Sequence, residues 1–224
     1  MKLRTTFALA ACLAIACSTP VLAQQFTENF TSPAKADGTI AGWTLPAAGY
    51  SVQAGKLAYD GTADKQYAIW SAAPAGTTIT YTANITVSDV PGTDWSIAGM
   101  GIYADDENYW HLALVQSPDN DNKKHFVELS EMYKANWNAN GATGTALTTN
   151  NDVPGFEWKT GVTYQFKITL TPSQIQGQIL EAGVVKFSCS DQLTATAVTK
   201  GRPMLDCAGM KANYSKLSAT VSGL

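Results

Sequence analysis

The chain has 224 residues, of which 15% are charged, and a formal net charge of −3. That balance offers no basic stripe for a nucleic acid and no charge run of the kind that forms a solvated tail, so neither is expected. The length suits one domain with a sizeable core, and six Trp and nine Tyr beside plentiful Gly, Ser and Thr suit an exported all-β protein.

Residues 1–23 read as an export signal. Lys2 and Arg4 supply the positive start, and Phe7 to Ala16 is an apolar run too short to span a bilayer. Pro20 and then Val21-Leu22-Ala23 suit cleavage before Gln24. The alternative is lipidation at Cys12 or Cys17, each preceded by small residues. The expected mature chain is a single domain, 24–224, secreted, periplasmic or at the cell surface, without a membrane span and monomeric. It keeps Cys189 and Cys207, and two cysteines in an exported chain are expected to form one disulfide.

Strand signals then recur at short intervals. Gln25 to Phe30 opens the series, followed by Trp43 and Leu45. Tyr50–Gln53 and Lys56–Tyr59 flank the turn Ala54-Gly55, and Gln66 to Ser71 comes next. Thr77 to Ser88 alternates strictly, with Ile79, Tyr81, Ala83, Ile85 and Val87 against Thr78, Thr80, Thr82, Asn84 and Thr86. Val162 to Leu170 repeats that pattern, and such strands belong in an antiparallel sheet covered on one side.

Between these two stands Trp95 to Gln116, two apolar runs around Asp105-Asp106-Glu107-Asn108, which predicts a hairpin. Period-two alternation sets Ala98, Met100 and Ile102 with Trp110, Leu112 and Leu114 on a core face. Gly99, Gly101, Tyr103, Tyr109 and His111 fall on the opposite, open face, where small residues beside aromatics leave room for a flat ligand. Phe126 to Met132 predicts another strand, with Glu128 and Ser130 facing away from Val127 and Leu129. Tyr133 to Phe156 reads as a long irregular piece around Trp137, and loops of that length are often functional. Gln174–Leu180, Val184–Cys189 and Ser215–Val221 complete the set, and the expected disulfide would tie the loop after Val184–Cys189 to the short Met204–Cys207 segment. No convincing helix follows the signal, since the Thr and Val content of Leu193 to Thr199 argues against even a helical turn there.

Four stretches carry a resemblance: FTENFTSP…GWTLPAAGYSVQAGKLAYDG, AGMGIYADDENYWHLAL, WKTGVTYQFKITLTPSQIQGQI and GRPMLDCAGMKANYSKLSATV. Together they make the chain, from about Phe26 to Val221, similar to the concanavalin A-like lectin/glucanase (LamG-like) superfamily. The resemblance implies an all-β, two-sheet antiparallel jelly-roll sandwich with a glycan on its concave sheet. The superfamily also holds glycoside hydrolases and polysaccharide lyases. Its laminarinase-like hydrolases carry alternating acids on one strand. Here Glu128 and Glu131 are three apart and the central Asp is missing, so they point to opposite faces.

The open face therefore defines the candidate site. Glu128 and His111 are the candidate acid/base pair, and Tyr109, Tyr103, Ser130, Tyr133 and Trp137 the candidate ligand contacts. Trp70, Trp95 and Trp158 are further stacking candidates for which core is the default. No cofactor is expected. Oxygen ligands for calcium could come from Asp105-Asp106-Glu107-Asn108 or Asp119-Asn120-Asp121-Asn122, neither with EF-hand spacing. The expected partner is a carbohydrate. The alternatives are a glycoside hydrolase or polysaccharide lyase, and a structural or adhesive surface protein.

Overall fold

The computed structural model describes residues 22–32, 39–46, 49–61, 65–92, 94–118, 125–138, 156–193 and 196–224. Residues 1–21, where the export signal is expected, and the run Asp119–Asn122 lie outside that set. The strands, in chain order, are β1 (Gln24–Glu28), β2 (Tyr50–Gln53), β3 (Lys56–Tyr59), β4 (Gln66–Ile69), β5 (Thr78–Asp89), β6 (Ser96–Asp105), β7 (Asn108–Gln116), β8 (His125–Tyr133), β9 (Asn136–Asn138), β10 (Thr163–Leu170), β11 (Gln174–Glu181), β12 (Val184–Gln192), β13 (Arg202–Ala208) and β14 (Lys211–Ser222). They form two antiparallel sheets. One runs β12-β11-β10-β5-β14-β3-β2, with β1 also on β14, and the other runs β4-β13-β6-β7-β8-β9. This is the expected all-β jelly-roll sandwich. Among the described residues, no helix is long and apolar enough to cross a membrane.

The core lies between the sheets and follows the predicted alternation. Ile79, Tyr81, Ala83, Ile85 and Val87 from β5 meet Ala98, Met100, Ile102, Trp110, Leu112 and Leu114 from β6 and β7 in one cluster. The predicted hairpin is the middle of the six-stranded sheet, with Met100 opposite Leu112 and Gly101 opposite His111. Trp70 and Trp158 are buried, in line with their default. At Ala54-Gly55 and again at Ala182-Gly183 both turn residues have positive φ, the geometry that matches the twist of a two-residue hairpin.

Three expectations need correction. The Met204–Cys207 segment is part of a seven-residue strand, β13, lying between β4 and β6. The long irregular piece begins as a tight turn at Lys134-Ala135 followed by β9, so Trp137 stands on an edge strand opposite Met132; residues 139–155 lie outside the described set. Finally, Cys189 and Cys207 are both buried and not joined. Cys189 is on the outermost strand β12, and Cys207 lies under Tyr214 of β14. Four strand spacings separate β12 from β14. At about 4.8 Å each that is roughly 19 Å, far beyond the Cα separation a disulfide spans. Burial also pushes the Cys207 thiol up, and its Sγ donates to the Met210 carbonyl at 3.3 Å.

Candidate functional site

The outward face of the six-stranded sheet is built from cross-strand rows. One row runs Tyr67, Asp206, Gly99, Ala113 and Glu128 across β4, β13, β6, β7 and β8. The next runs Ile69, Met204, Gly101, His111 and Ser130, and a third runs Arg202, Tyr103, Tyr109, Met132 and Trp137. His111, Glu128, Ser130, Tyr109 and Tyr103 are thus brought to one face, as alternation predicts, and β9 adds Trp137, expected in a loop, to the same face. Tyr133 is not among them. It has the opposite parity, packs against the main core, and faces the Lys134 ammonium at 5.2 Å.

At the centre is a carboxylate–imidazole–carboxylate chain. His111 Nδ1 is 2.9 Å from Asp206 Oδ2, and His111 Nε2 is 3.0 Å from Glu128 Oε1. His111 and Asp206 have no exposed side-chain surface, while Glu128 keeps 20%. Burial opposes charge on the ring, but Asp206 and then Glu128 outweigh it, so His111 titrates above its ordinary value. The glycines expected to leave space for a ligand leave it for this chain instead. A Cβ on Gly99 would stand 2.7 Å from Asp206 Oδ1 and 2.5 Å from the Leu112 carbonyl.

Aromatic rings close over the chain. The Trp137 ring lies 4.7 Å from that of His111 and meets Tyr109 edge-on at 5.9 Å. Lys65, just before β4, lays its ammonium 3.9 Å from the centre of the Trp137 ring and donates to the Tyr109 hydroxyl. Burial lowers its pKa to about 8, with Asp206 and Glu128 pulling the other way. Tyr109 is therefore buried beneath Lys65 and Trp137, and its neighbour Tyr103 donates to Asp106 Oδ1 at 2.5 Å.

Beside this cluster is a cleft of about 440 Å³ lined by Lys65, Trp95, Ile97, Val115, Glu128, Ser130, Trp137 and Ala208. A second hollow of about 590 Å³ shares Lys65, Trp95 and Ala208 with it. Trp137 and Trp95 keep 50% and 61% exposure respectively, unusual for the most apolar rings in a chain. Trp95 packs edge-on against Phe126, on an apolar floor of Ile97, Ala113 and Val115. The site thus has an apolar, Trp-walled half and a charged half, with Glu128 at their junction.

Sequence reasoning missed three contributors. Lys65 and Asp206 lie far from the hairpin in sequence and only strand pairing brings them in. Trp95 was assigned to the core by default, although its neighbours Asp94 and Ser96 are polar and could have suggested otherwise. The acidic turn has a bracing role. Asp105 Oδ1 accepts from the Glu107 amide at 2.9 Å and from Asn108 Nδ2 at 2.7 Å. Asn108 Oδ1 then accepts from the Lys134 amide at 3.0 Å, which anchors the turn leading into β9 and Trp137. Among the described residues, no group of three His, Cys, Asp or Glu side chains is arranged to hold a metal ion.

Fold and face together define a jelly-roll sandwich with an aromatic-walled cleft on its six-stranded sheet. No protein-family model and no curated protein sequence matches the chain. Solved structures do share its fold. A carbohydrate binding module, CBM66 from Bacillus subtilis, is 12% identical with a TM-score of 0.57, over 79% of this chain and 93% of that one. Peanut lectin is 9% identical with a TM-score of 0.58, over 89% and 97%. A β-glucanase from Bacillus licheniformis is 10% identical with a TM-score of 0.56, over 88% and 98%.

Proposed function

We propose that this is an exported carbohydrate-binding protein that takes a glycan in the cleft between Trp95 and Trp137. The observation that carries the proposal is the pairing of two half-exposed or more exposed Trp rings with one cleft-lining carboxylate, Glu128. Sugar rings have apolar C–H faces that stack on indoles and hydroxyl edges that need charged or polar partners, and the two halves of this cleft offer both. The cleft volume falls within the range usual for small-ligand sites. The shared fold of a carbohydrate binding module and a lectin agrees with the reading without deciding it.

A glycoside hydrolase or polysaccharide lyase using Glu128 and His111 is the second reading, favoured by the fixed carboxylate–imidazole contact. It is the weaker one. Paired-carboxylate hydrolysis needs two acids flanking the bond. Among the described residues Glu128 is the acid that lines the cleft, while Asp206 is fully buried and His111 has both ring nitrogens engaged. A polysaccharide panel scored for binding and for product release in the same wells tests both. Binding without release supports the proposal, released oligosaccharides make the protein an enzyme, and silence across the panel favours a structural or adhesive surface protein.

A further inference from the structure

The buried chain beneath Trp137 is more than a folded sandwich requires. Two carboxylates and an imidazole could be replaced by apolar side chains of similar volume with no loss of fold, because taking charges out of water offsets what their attraction returns. Asp206 also keeps one oxygen, Oδ1, buried with no hydrogen-bond partner among the described residues. The strand between Asp206 and His111 is β6, and it presents Gly99 and Gly101 at their rows, so the Asp206 carboxylate reaches across it to the ring. The far end of the chain is Glu128, whose Oε1 is held by His111 and which alone among the three lines the cleft.

We propose that Asp206 and His111 are a positioning pair for Glu128, fixing its carboxylate as the cleft's acceptor for the hydroxyl groups of a neutral sugar rather than an acidic one. This rests on the glycan-binding reading. Asp206 orients the ring through Nδ1, the ring pins Oε1 through Nε2, and Oε2 is left for ligand donors. The cleft's other charge, Lys65, is already engaged with Tyr109 and Trp137, so a uronate carboxylate would enter beside Glu128 without a dedicated partner.

The charge on His111 links this to pH. The groups facing it are Asp206 on β13, Glu128 on β8, Tyr109 on β7, and Lys65 and Tyr67 at and before β4, while β6 contributes glycines and β9 contributes Trp137. With both nitrogens protonated the ring holds both carboxylates. Once it loses a proton, only one N–H remains and one carboxylate is released. Glycan affinity is therefore full below the raised His111 pKa and falls as pH rises through it.

The first experiment needs no glycan. In the mature chain labelled with ¹⁵N-histidine, His111 is assigned by the peaks that persist in His125→Gln. The expected result is a His111 that titrates above the ordinary value of about 6.5, and a lower value in Asp206→Asn. A His111 that titrates at or below about 6.5, or one unmoved by Asp206→Asn, overturns the pair whatever the ligand. The second experiment follows Trp fluorescence of the unaltered chain with neutral and uronic-acid oligosaccharides across pH, with Lys65→Arg run in parallel to separate any titration of Lys65. Asp206→Asn is expected to move the fall in affinity to lower pH. Glu128→Gln, which keeps the shape and tests the idea should Asp206→Asn not fold, is expected to lose roughly 10- to 100-fold in affinity. A pH profile unmoved by Asp206→Asn overturns the positioning role, and tighter binding of uronic-acid oligomers overturns the substrate class. No binding of any oligosaccharide overturns the reading beneath it, and the histidine spectra then still report separately on the pair.

Discussion

The two outward faces of this sandwich are made of the same kind of alternating strand and have opposite contents. On the eight-stranded sheet, one row crosses six strands as Ser190, Gln176, Thr169, Thr80, Thr220 and Gln25. Such side chains are partly or fully wet, and contacts such as Thr86 to Thr163 at 2.7 Å stand in solvent. On the six-stranded sheet, β6 and β7 are buried on both faces over most of their length. There the outward positions carry an imidazole, a buried carboxylate and glycines. A polar face in water needs no special arrangement, whereas a charged face out of water must pair every group. The difference marks the second face as the place where stability is set against another use.

The comparison can be broken most directly by removing the ring. His111→Leu leaves Asp206 and Glu128 without their cationic partner and is expected to cost about 3–5 kcal/mol in chemical denaturation. If the loss is instead no larger than that of a wet threonine, the cluster is not the strained element argued here. Gly99→Ala is next, at about 1–3 kcal/mol, because the new methyl meets the rigid Leu112 carbonyl as well as Asp206. Gly177→Ala, on the other sheet, meets only the flexible ends of Leu112 and Leu129 and should cost less. The same thermal melts compare both.

Trp137→Ala is expected to lower glycan affinity about tenfold while changing stability little, since half of the ring is already in water. Calorimetry on any glycan that binds the unaltered protein decides it. Stability should also depend on pH through His111 on this face. His111 is raised in the folded state, so its contribution is complete below its unfolded value and is lost as pH rises through the folded one. Denaturation profiles of Asp206→Asn should show that loss reduced. The smallest effect is expected for Thr82→Ala, within about 0.5 kcal/mol and without pH dependence.

Period-two patterning is a local property, readable wherever consecutive residues alternate. It determined the strands from Thr78 to Leu114, the core set of β6 and β7, and the face on which Tyr109, His111, Glu128 and Ser130 meet. It also separated Glu128 from Glu131, whose carboxylate turns inward and accepts from the Val198 amide at 2.7 Å. Alternation states which side a residue faces but not how deep it lies, so Tyr109 and His111 could not be recognised as covered. Nor does it state which distant strands become neighbours. That Asp206 reaches His111 across Gly99, that Lys65 covers Trp137, and that Cys189 and Cys207 stand too far apart to bond were decided by strand order alone. Pairing between strands about a hundred residues apart depends on how all the sheet edges are shared out, and no window of sequence contains that information.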